Sequence, residues 1–342
     1  MIIDAHAHLN TPLSFFAYRT LLEVANGHYD SLVIDVPDEE LKKSADYNVA
    51  LLDEVGTDMQ LLSPRPFLLM HSSPNLKDIK KWVAGNNNQI AKTVSFHPTR
   101  FRGLAGLPQC EGQPINVVFD EIDRCINELG FIGVYLNPDP SEGRGTSPTL
   151  GDEYWYPLWE KLTAEDIPAV IHSSTSYGRE NYSEHFISEE SLAILSIANS
   201  KVFQDFPNLK LMISHGGGSV PYQIGRWRVH RQGIQAKLTK GSENASFAQD
   251  SFESFDETLR RFWFDTTLYS KPSLELLFDT VGPDRCLFGT ERPGDGSAID
   301  PRTGRAYDDL KPVIESIEFL TKEDKHAIFE GNAKQFFSRL NV

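Results

Sequence analysis

Short apolar runs alternate with longer amphipathic stretches along nearly the whole chain. Strand character marks Met1–Ala7, Met59–Leu62, Gly103–Leu107, Phe131–Leu136, Ala169–Ile171, Leu209–Ile213, Phe262–Asp265 and Cys286–Phe288. Between them, apolar positions recur at helical spacing, as over Val117–Leu129, Glu189–Phe203, Lys271–Val281 and Asp308–Phe319. Eight strand candidates alternating with helices predict an α/β fold, a parallel sheet closed into a distorted (β/α)8 barrel. A doubly wound open sheet is the competing architecture, but no GxGxxG follows the first strand. The 342 residues are expected to form a single barrel domain over 1–342, with insertions after strands one, four and six. Leu13–Asp53 is far more chain than one crossover needs, and Asn137–Asp152 is rich in Pro, Gly and Ser. Long connections of this kind build the active-site face of a barrel, so both are read as rim and lid material. Arg228–Glu257 is polar and expected to be helical in part; an inert surface insertion is an equally good reading there.

Composition narrows the class. Hydrophobic residues make up 40% and charged residues 24%, as in an ordinary globular protein that needs no disulfide staples. Cys110, Cys125 and Cys286 are odd in number and lack CxxC spacing, so they read as reduced thiols rather than a zinc ribbon or a disulfide framework. Strand character starts at Met1 and no apolar run reaches the ~20 residues of a membrane span, so neither a signal peptide nor a membrane partner is expected and the location is read as cytoplasmic. The net charge of −15 argues against a nucleic-acid partner and repels anions at long range. A carboxylate substrate would therefore need local arginines.

The candidate chemistry sits at strand ends. In Asp4-Ala5-His6-Ala7-His8, the two histidines are i and i+2 on a strand and so share one face. Two neutral imidazoles inside the barrel make half of a first-row metal site. An isolated HxH is more often a hydrogen-bonded core pair. Here, however, His172 closes the run Ile167–Ile171, His215 follows Leu211–Ser214, and Glu291 lies just past Cys286–Thr290. Four polar strand ends converging on one rim point to a site, although no single member does.

HxH on strand one, His after strand five, His-Gly-Gly-Gly after strand six and an acid after strand eight resemble the pattern of the amidohydrolase superfamily. More narrowly, the chain resembles the branch that holds aromatic-acid decarboxylases, a ring-cleavage-product C–C hydrolase and 4-oxalomesaconate hydratase. Ser63-Pro64-Arg65, Leu136-Asn137-Pro138-Asp139-Pro140, Ser214-His215-Gly216-Gly217-Gly218, Pro221-Tyr222, Gly225-Arg226 and Phe264-Asp265-Thr266 look like the hydratase. Most of the superfamily carries Asp after strand eight, whereas Glu291 stands here, as in the hydratase and the C–C hydrolase.

The resemblance implies a TIM barrel of the metal-dependent amidohydrolase type. It implies one divalent ion, with Zn²⁺ expected and Mn²⁺ the alternative, because no lysine marks a carbamylated bridge. His6, His8, His172 and Glu291 are the expected ligands, with Glu291 also a candidate general base and His215 a general acid/base outside the ligand set. Arg65 and Arg226 could clamp a carboxylate, while Asn137, Ser174, Thr175 and Tyr222 could hydrogen-bond substrate oxygens. Arg292 is equally readable as a clamp or an ion-pair partner. His185, in the segment after strand five, is close enough in sequence to reach the site. Gly216–Gly218 carries no helix-opening Lys-Ser/Thr, so it is no P-loop, and is expected to let backbone approach the metal site. The function implied is hydration of an unsaturated oxo-di- or tricarboxylate from aromatic ring cleavage. C–C hydrolysis is the alternative and non-oxidative decarboxylation a weaker one. The partner implied is a small anionic carboxylate, bound by a homo-oligomer, dimer or higher.

Overall fold

Eight parallel strands follow one another around a single sheet in the order of the chain. They are β1 (Ile3–His8), β2 (Met59–Ser63), β3 (Phe101–Gly106), β4 (Gly133–Leu136), β5 (Ala169–Ile171), β6 (Leu211–Ile213), β7 (Trp263–Asp265) and β8 (Cys286–Leu287). The structure, a computed structural model, describes residues 1–29, 32–66, 69–239 and 253–342. Backbone bonds from Ala5 N to Phe288 O (2.8 Å) and from Glu291 N to His6 O (2.7 Å) tie the last strand to the first. The sheet is a (β/α)8 barrel, and every predicted strand is found within two residues of its expected start.

Two apolar layers position the rim. Ile3, Ala5, Leu61, Leu104, Val170, Met212 and Leu287 fill the barrel interior, which Phe336, Phe337 and Leu340 close from the C-terminal end of the chain. The opposite faces of the strands pack outward on the helices, through residues such as Leu62, Val134, Ile171, Ile213 and Phe264. These helices are α1 (Ala17–Ala25), α2 (Asp38–Val55), α3 (Leu76–Phe96), α4 (Phe119–Asn127), α5 (Tyr156–Ala164), α6 (Tyr182–Ala198), α7 (Val202–Asp205), α8 (Ile224–Thr239), α9 (Phe255–Leu259) and α10 (Lys271–Val281). The long connection after β1 has its own core, in which Phe15, Leu22, Val36 and Leu41 pack on Ile79, Trp82 and Val83 of α3.

Some elements differ from expectation for visible reasons. The helix expected over Asp308–Phe319 is reduced to Lys311–Glu315 with Pro312 in its first turn. Helix α6 starts seven residues before the expected Glu189, because Asn181 and Glu184 form a capping box at its N-terminus. In the polar stretch after β6, α8 ends at Thr239, residues 240–252 lie outside the described part, and α9 opens on a Ser254–Glu257 capping box. No helix among the described residues is long and apolar enough to cross a membrane.

Candidate metal centre

The register between β1 and β2 shifts between Asp4 and Ala7. Ile3 and Ala5 lie in the inner layer, yet Ala7 packs outward. The irregularity breaks the strict alternation and brings His6 and His8 together inside the barrel, a common use of a bulge beside a functional site. Asp4 anchors this strand end. It is fully buried and accepts from His6 N, Gln60 Nε2, Thr290 N and Thr290 Oγ1. Burial pushes its carboxyl up to about 6 despite those donors.

Four imidazoles crowd together. Ring centroids are 5.2 Å apart for His6–His8, 5.0 Å for His6–His172, 5.2 Å for His6–His215, 5.2 Å for His8–His172 and 4.7 Å for His172–His215. Each ring is fixed through Nδ1. His6 Nδ1 lies 2.6 Å from Asp265 Oδ2, His8 Nδ1 2.8 Å from Ser63 Oγ, and His172 Nδ1 2.6 Å from Ser173 O. A carbonyl only accepts, so the His172 proton sits on Nδ1 and Nε2 offers a lone pair. Ser63 Oγ points its own hydrogen at the Ala7 or Pro64 carbonyl, which sets the same tautomer for His8. The Nε2 atoms of His6, His8 and His172 are all buried without a hydrogen-bond partner. Orphaned polar atoms cost about 1–3 kcal/mol each, and three in one place make sense as ligands. Imidazole nitrogens locked by Nδ1 donors are what a divalent cation requires.

The acid completes the set. One oxygen each from Glu291, His6, His172 and His215 lies within 4.8 Å of the others, counting the imidazole nitrogens as the histidine atoms. His8 Nε2 joins at 3.6 Å from Glu291 Oε1, while Tyr269 OH donates to Oε2 at 2.8 Å. Sequence reasoning kept His215 apart from the ligands and placed His8 among them; in the structure His215 is as close to the cluster as any of them. Glu291 and His215 both take left-handed backbone angles, with φ of 60° and 48°. Non-glycine residues pay about 1–2 kcal/mol for that conformation, and such strain concentrates at functional sites.

The charges are ordered. Burial opposes ionisation of Glu291, but His8, His215 and His6 hold its carboxyl well below the usual range. Burial lowers His8 to about 4 and takes His172 well below its ordinary value, so both are neutral. In His215 burial is overcome by Glu190, whose oxygens both lie 3.0 Å from Nδ1, and the imidazolium persists up to about 10. His6 is likewise raised, by Asp265 against burial.

Other expected residues are scattered. Arg65 is half-buried at this rim, where burial lowers its guanidinium pKa against the pull of Glu291 and Asp295. Asn137 is buried and fully engaged: Nδ2 donates to His71 Nδ1 and Asp139 O, and Oδ1 accepts from Asp139 N. Ser174 Oγ is 2.8 Å from Pro66 O and 3.0 Å from Glu142 Oε1, and Thr175 is half-buried beside it. Tyr222 is 76% exposed and Arg226 is exposed with Gln223 and Trp227 around an outer cavity; neither side chain bonds to the histidine cluster. Both follow the glycine turn, which carries the chain outward into α8 before they occur. Arg292 is an ion-pair partner, buried between Asp308 (2.5 Å) and Glu54 (3.1 Å). The glycine run serves packing more than metal approach. A Cβ on Gly216 or Gly217 would meet Leu268 at 2.8 Å or Phe264 at 2.7 Å, although Gly216 N does reach Asp265 Oδ1.

Asp265, Glu190, Ser63 and Tyr269 were given no role from sequence. Asp265 had a signal: it is one more polar residue ending an apolar strand, Phe262-Trp263-Phe264-Asp265. Glu190 had one too, as an acid on the apolar stripe of α6 with Phe186, Ala193, Ile194 and Ile197.

A barrel carrying this centre defines a class, and comparison agrees: the Amidohydrolase family model matches residues 3–339, so the chain belongs to that family. It is 34% identical to the 2-keto-4-carboxy-3-hexenedioate hydratase of a Sphingobium species, covering 100% of this chain and 97% of that one. The crystal structure of a 4-oxalomesaconate hydratase from Rhodopseudomonas palustris superposes with a TM-score of 0.86 at 32% identity, covering 99% of this chain and 96% of that one. A dihydroxybenzoic acid decarboxylase from a Polaromonas species, solved with bound manganese, shares the fold with a TM-score of 0.71 at 23% identity, over 100% and 98% of the chains.

Proposed function

We propose that this chain is a metal-dependent hydratase, which adds water across the C=C bond of an unsaturated oxo-di- or tricarboxylate of the kind left by aromatic ring cleavage. The observation that carries the reading is the pairing of an anionic Glu291 with a cationic His215, Oε2 to Nε2 at 4.0 Å, beside the orphaned imidazole nitrogens. Addition of water needs a base and an acid on adjacent atoms; decarboxylation needs no base for water. The full-length likeness to two hydratases supports the same choice.

His6, His8, His172 and Glu291 would hold the cation, with Zn²⁺ preferred for its imidazole and carboxylate donors and Mn²⁺ as the alternative. Such a cation would supply a Lewis acid that polarises the substrate's oxo group and lowers the pKa of a water molecule. Glu291 takes the proton of that water as its oxygen bonds to the far alkene carbon. The C=C electron pair moves toward the conjugated oxo group, giving an enolate. His215 then delivers its proton to the neighbouring carbon as the carbonyl re-forms. Proton exchange with solvent resets both groups. Arg65 is proposed to hold a substrate carboxylate against the −15 charge of the chain. A homo-oligomer remains part of the proposal, with sedimentation as its measure.

The test is an assay of the purified, metal-loaded protein against three substrate types: an oxalomesaconate-type ene-oxo acid, a ring-cleavage dienoate and a hydroxybenzoate. Hydration of the first, seen as loss of the conjugated chromophore with one water gained in mass, is expected. Cleavage of the dienoate or CO₂ release from the hydroxybenzoate, without hydration, would replace this reading by the C–C hydrolase or the decarboxylase.

A further inference from the structure

A second group of metal-binding residues lies on the other side of α6 from His215. Asp139, in the segment after β4, and His185 and Glu189 of α6 each offer one ligand atom, all within 4.8 Å of one another. His185 is 2% exposed, yet its Nε2 has no hydrogen-bond partner. That atom faces Asp139 Oδ2 at 3.5 Å, too far and too poorly aligned for a hydrogen bond. Its Nδ1 is turned to Glu180 Oε2, also 3.5 Å away. An imidazole with an acid behind Nδ1 and a bare Nε2 directed at carboxylates repeats the arrangement of His6 with Asp265.

Asp139 is built to hold its place. Oδ1 accepts from Ser141 N and Ser141 Oγ, and Oδ2 from Gly143 N at 2.6 Å, leaving Oδ2 a further lone pair toward His185. A cavity of about 450 Å3 opens on His185 and Glu189, with Arg179 exposed on its rim, and gives an ion a way in. Three carboxylates (Asp139, Glu180 and Glu189) surround one imidazole, an excess of negative charge that a divalent ion would neutralise. Burial and the neighbouring Asp139 push the Glu189 carboxyl up to about 7, a sign of the same uncompensated charge.

We propose that Asp139, His185 and Glu189 form a second divalent-cation site, structural in role, that fastens α6 to the segment after β4. The helix geometry gives the site a purpose. His185 and Glu189 are i and i+4 on one face, and Phe186 and Glu190 are the same pair one residue on. Phe186 stacks on His215 with ring centroids 5.8 Å apart and planes within 8°, and Glu190 holds His215 Nδ1. Fixing one face of α6 to β4 therefore fixes the two side chains that orient His215. One imidazole and two carboxylates suit Zn²⁺ or Mn²⁺.

The experiment counts cations, so its outcome does not depend on which reaction the enzyme performs. Holoenzyme with its catalytic ion in place is titrated with Zn²⁺, and separately with Mn²⁺, by calorimetry and by metal analysis after dialysis. The parent should take up one further equivalent. Both His185→Gln and Glu189→Gln should keep the catalytic equivalent and bind the second at least 10-fold more weakly. Glu189 is only half-buried, so that variant serves if His185→Gln does not fold. A parent that saturates at one equivalent, or variants that bind the second ion as the parent does, would overturn the site.

Discussion

Glu190 presents both carboxylate oxygens to Nδ1 of His215 at 3.0 Å, and both groups are buried. The pair fixes the ring and keeps it charged. Glu190→Gln keeps the size and one acceptor but removes the charge. A raised imidazole pKa keeps the acid protonated to higher pH, so losing its cause must move the basic limb of the pH–rate profile downward, by at least one unit. At pH 8, kcat/KM should fall by ~10–100-fold, typical of impaired general acid catalysis. A basic limb that stays where it is in the parent would mean that another group supplies the proton.

Cation binding should depend on the orphaned nitrogens. His6→Ala and His172→Ala are each expected to lose the catalytic ion and most activity while keeping the barrel, whose interior is filled by the separate apolar layer of Ile3, Leu61, Leu104 and Met212. Metal analysis alongside circular dichroism decides it. Unchanged metal content in both variants would remove the ligand assignment.

Arg65 stands alone as the expected clamp, because Arg226 is exposed away from the centre and Arg292 is occupied by Asp308 and Glu54. Arg65→Met should raise KM or lower kcat/KM by ~10–100-fold, about 1.5–3 kcal/mol for a lost charged hydrogen bond. The effect should shrink with a substrate analogue that lacks one carboxylate. Parent-like kinetics on the full substrate would assign recognition elsewhere.

The barrel was legible because its strands are apolar on both faces, and such runs stand out when helices separate them. The polar strand ends were legible for the same reason: His172, His215 and Glu291 interrupt or follow apolar runs. What the sequence hid lies in the partners. Glu190 looks like one surface acid among several at the start of α6, and only the packing of Phe186 and Ile194 around it shows that it faces inward. Tyr222 and Arg226 were misjudged because nearness in sequence to His215 was taken for nearness in space. Gly216–Gly218, with φ of 62°, 82° and 60°, turns the chain away within three residues.

Glu291 is where the centre and the chemistry meet, and its two duties can be separated. Its Oε1 lies 3.6 Å from His8 Nε2 while Tyr269 donates to Oε2, so the two oxygens face different work. Glu291→Gln preserves size and one oxygen, and it should keep substrate binding while lowering turnover by ~10³-fold or more, since general bases contribute ~10²–10⁴ and a metal effect may add to this. If the carboxylate acts as base alone, the variant keeps stoichiometric metal and accumulates bound substrate. If it acts chiefly as a ligand, occupancy falls and excess Zn²⁺ restores part of the rate. Tyr269→Phe offers the control: the hydroxyl contributes only a hydrogen bond to Oε2, so metal should stay bound while turnover falls modestly, by ~10-fold. Full metal with nearly full turnover in Glu291→Gln would leave the carboxylate neither role and would remove the base from the proposed addition of water.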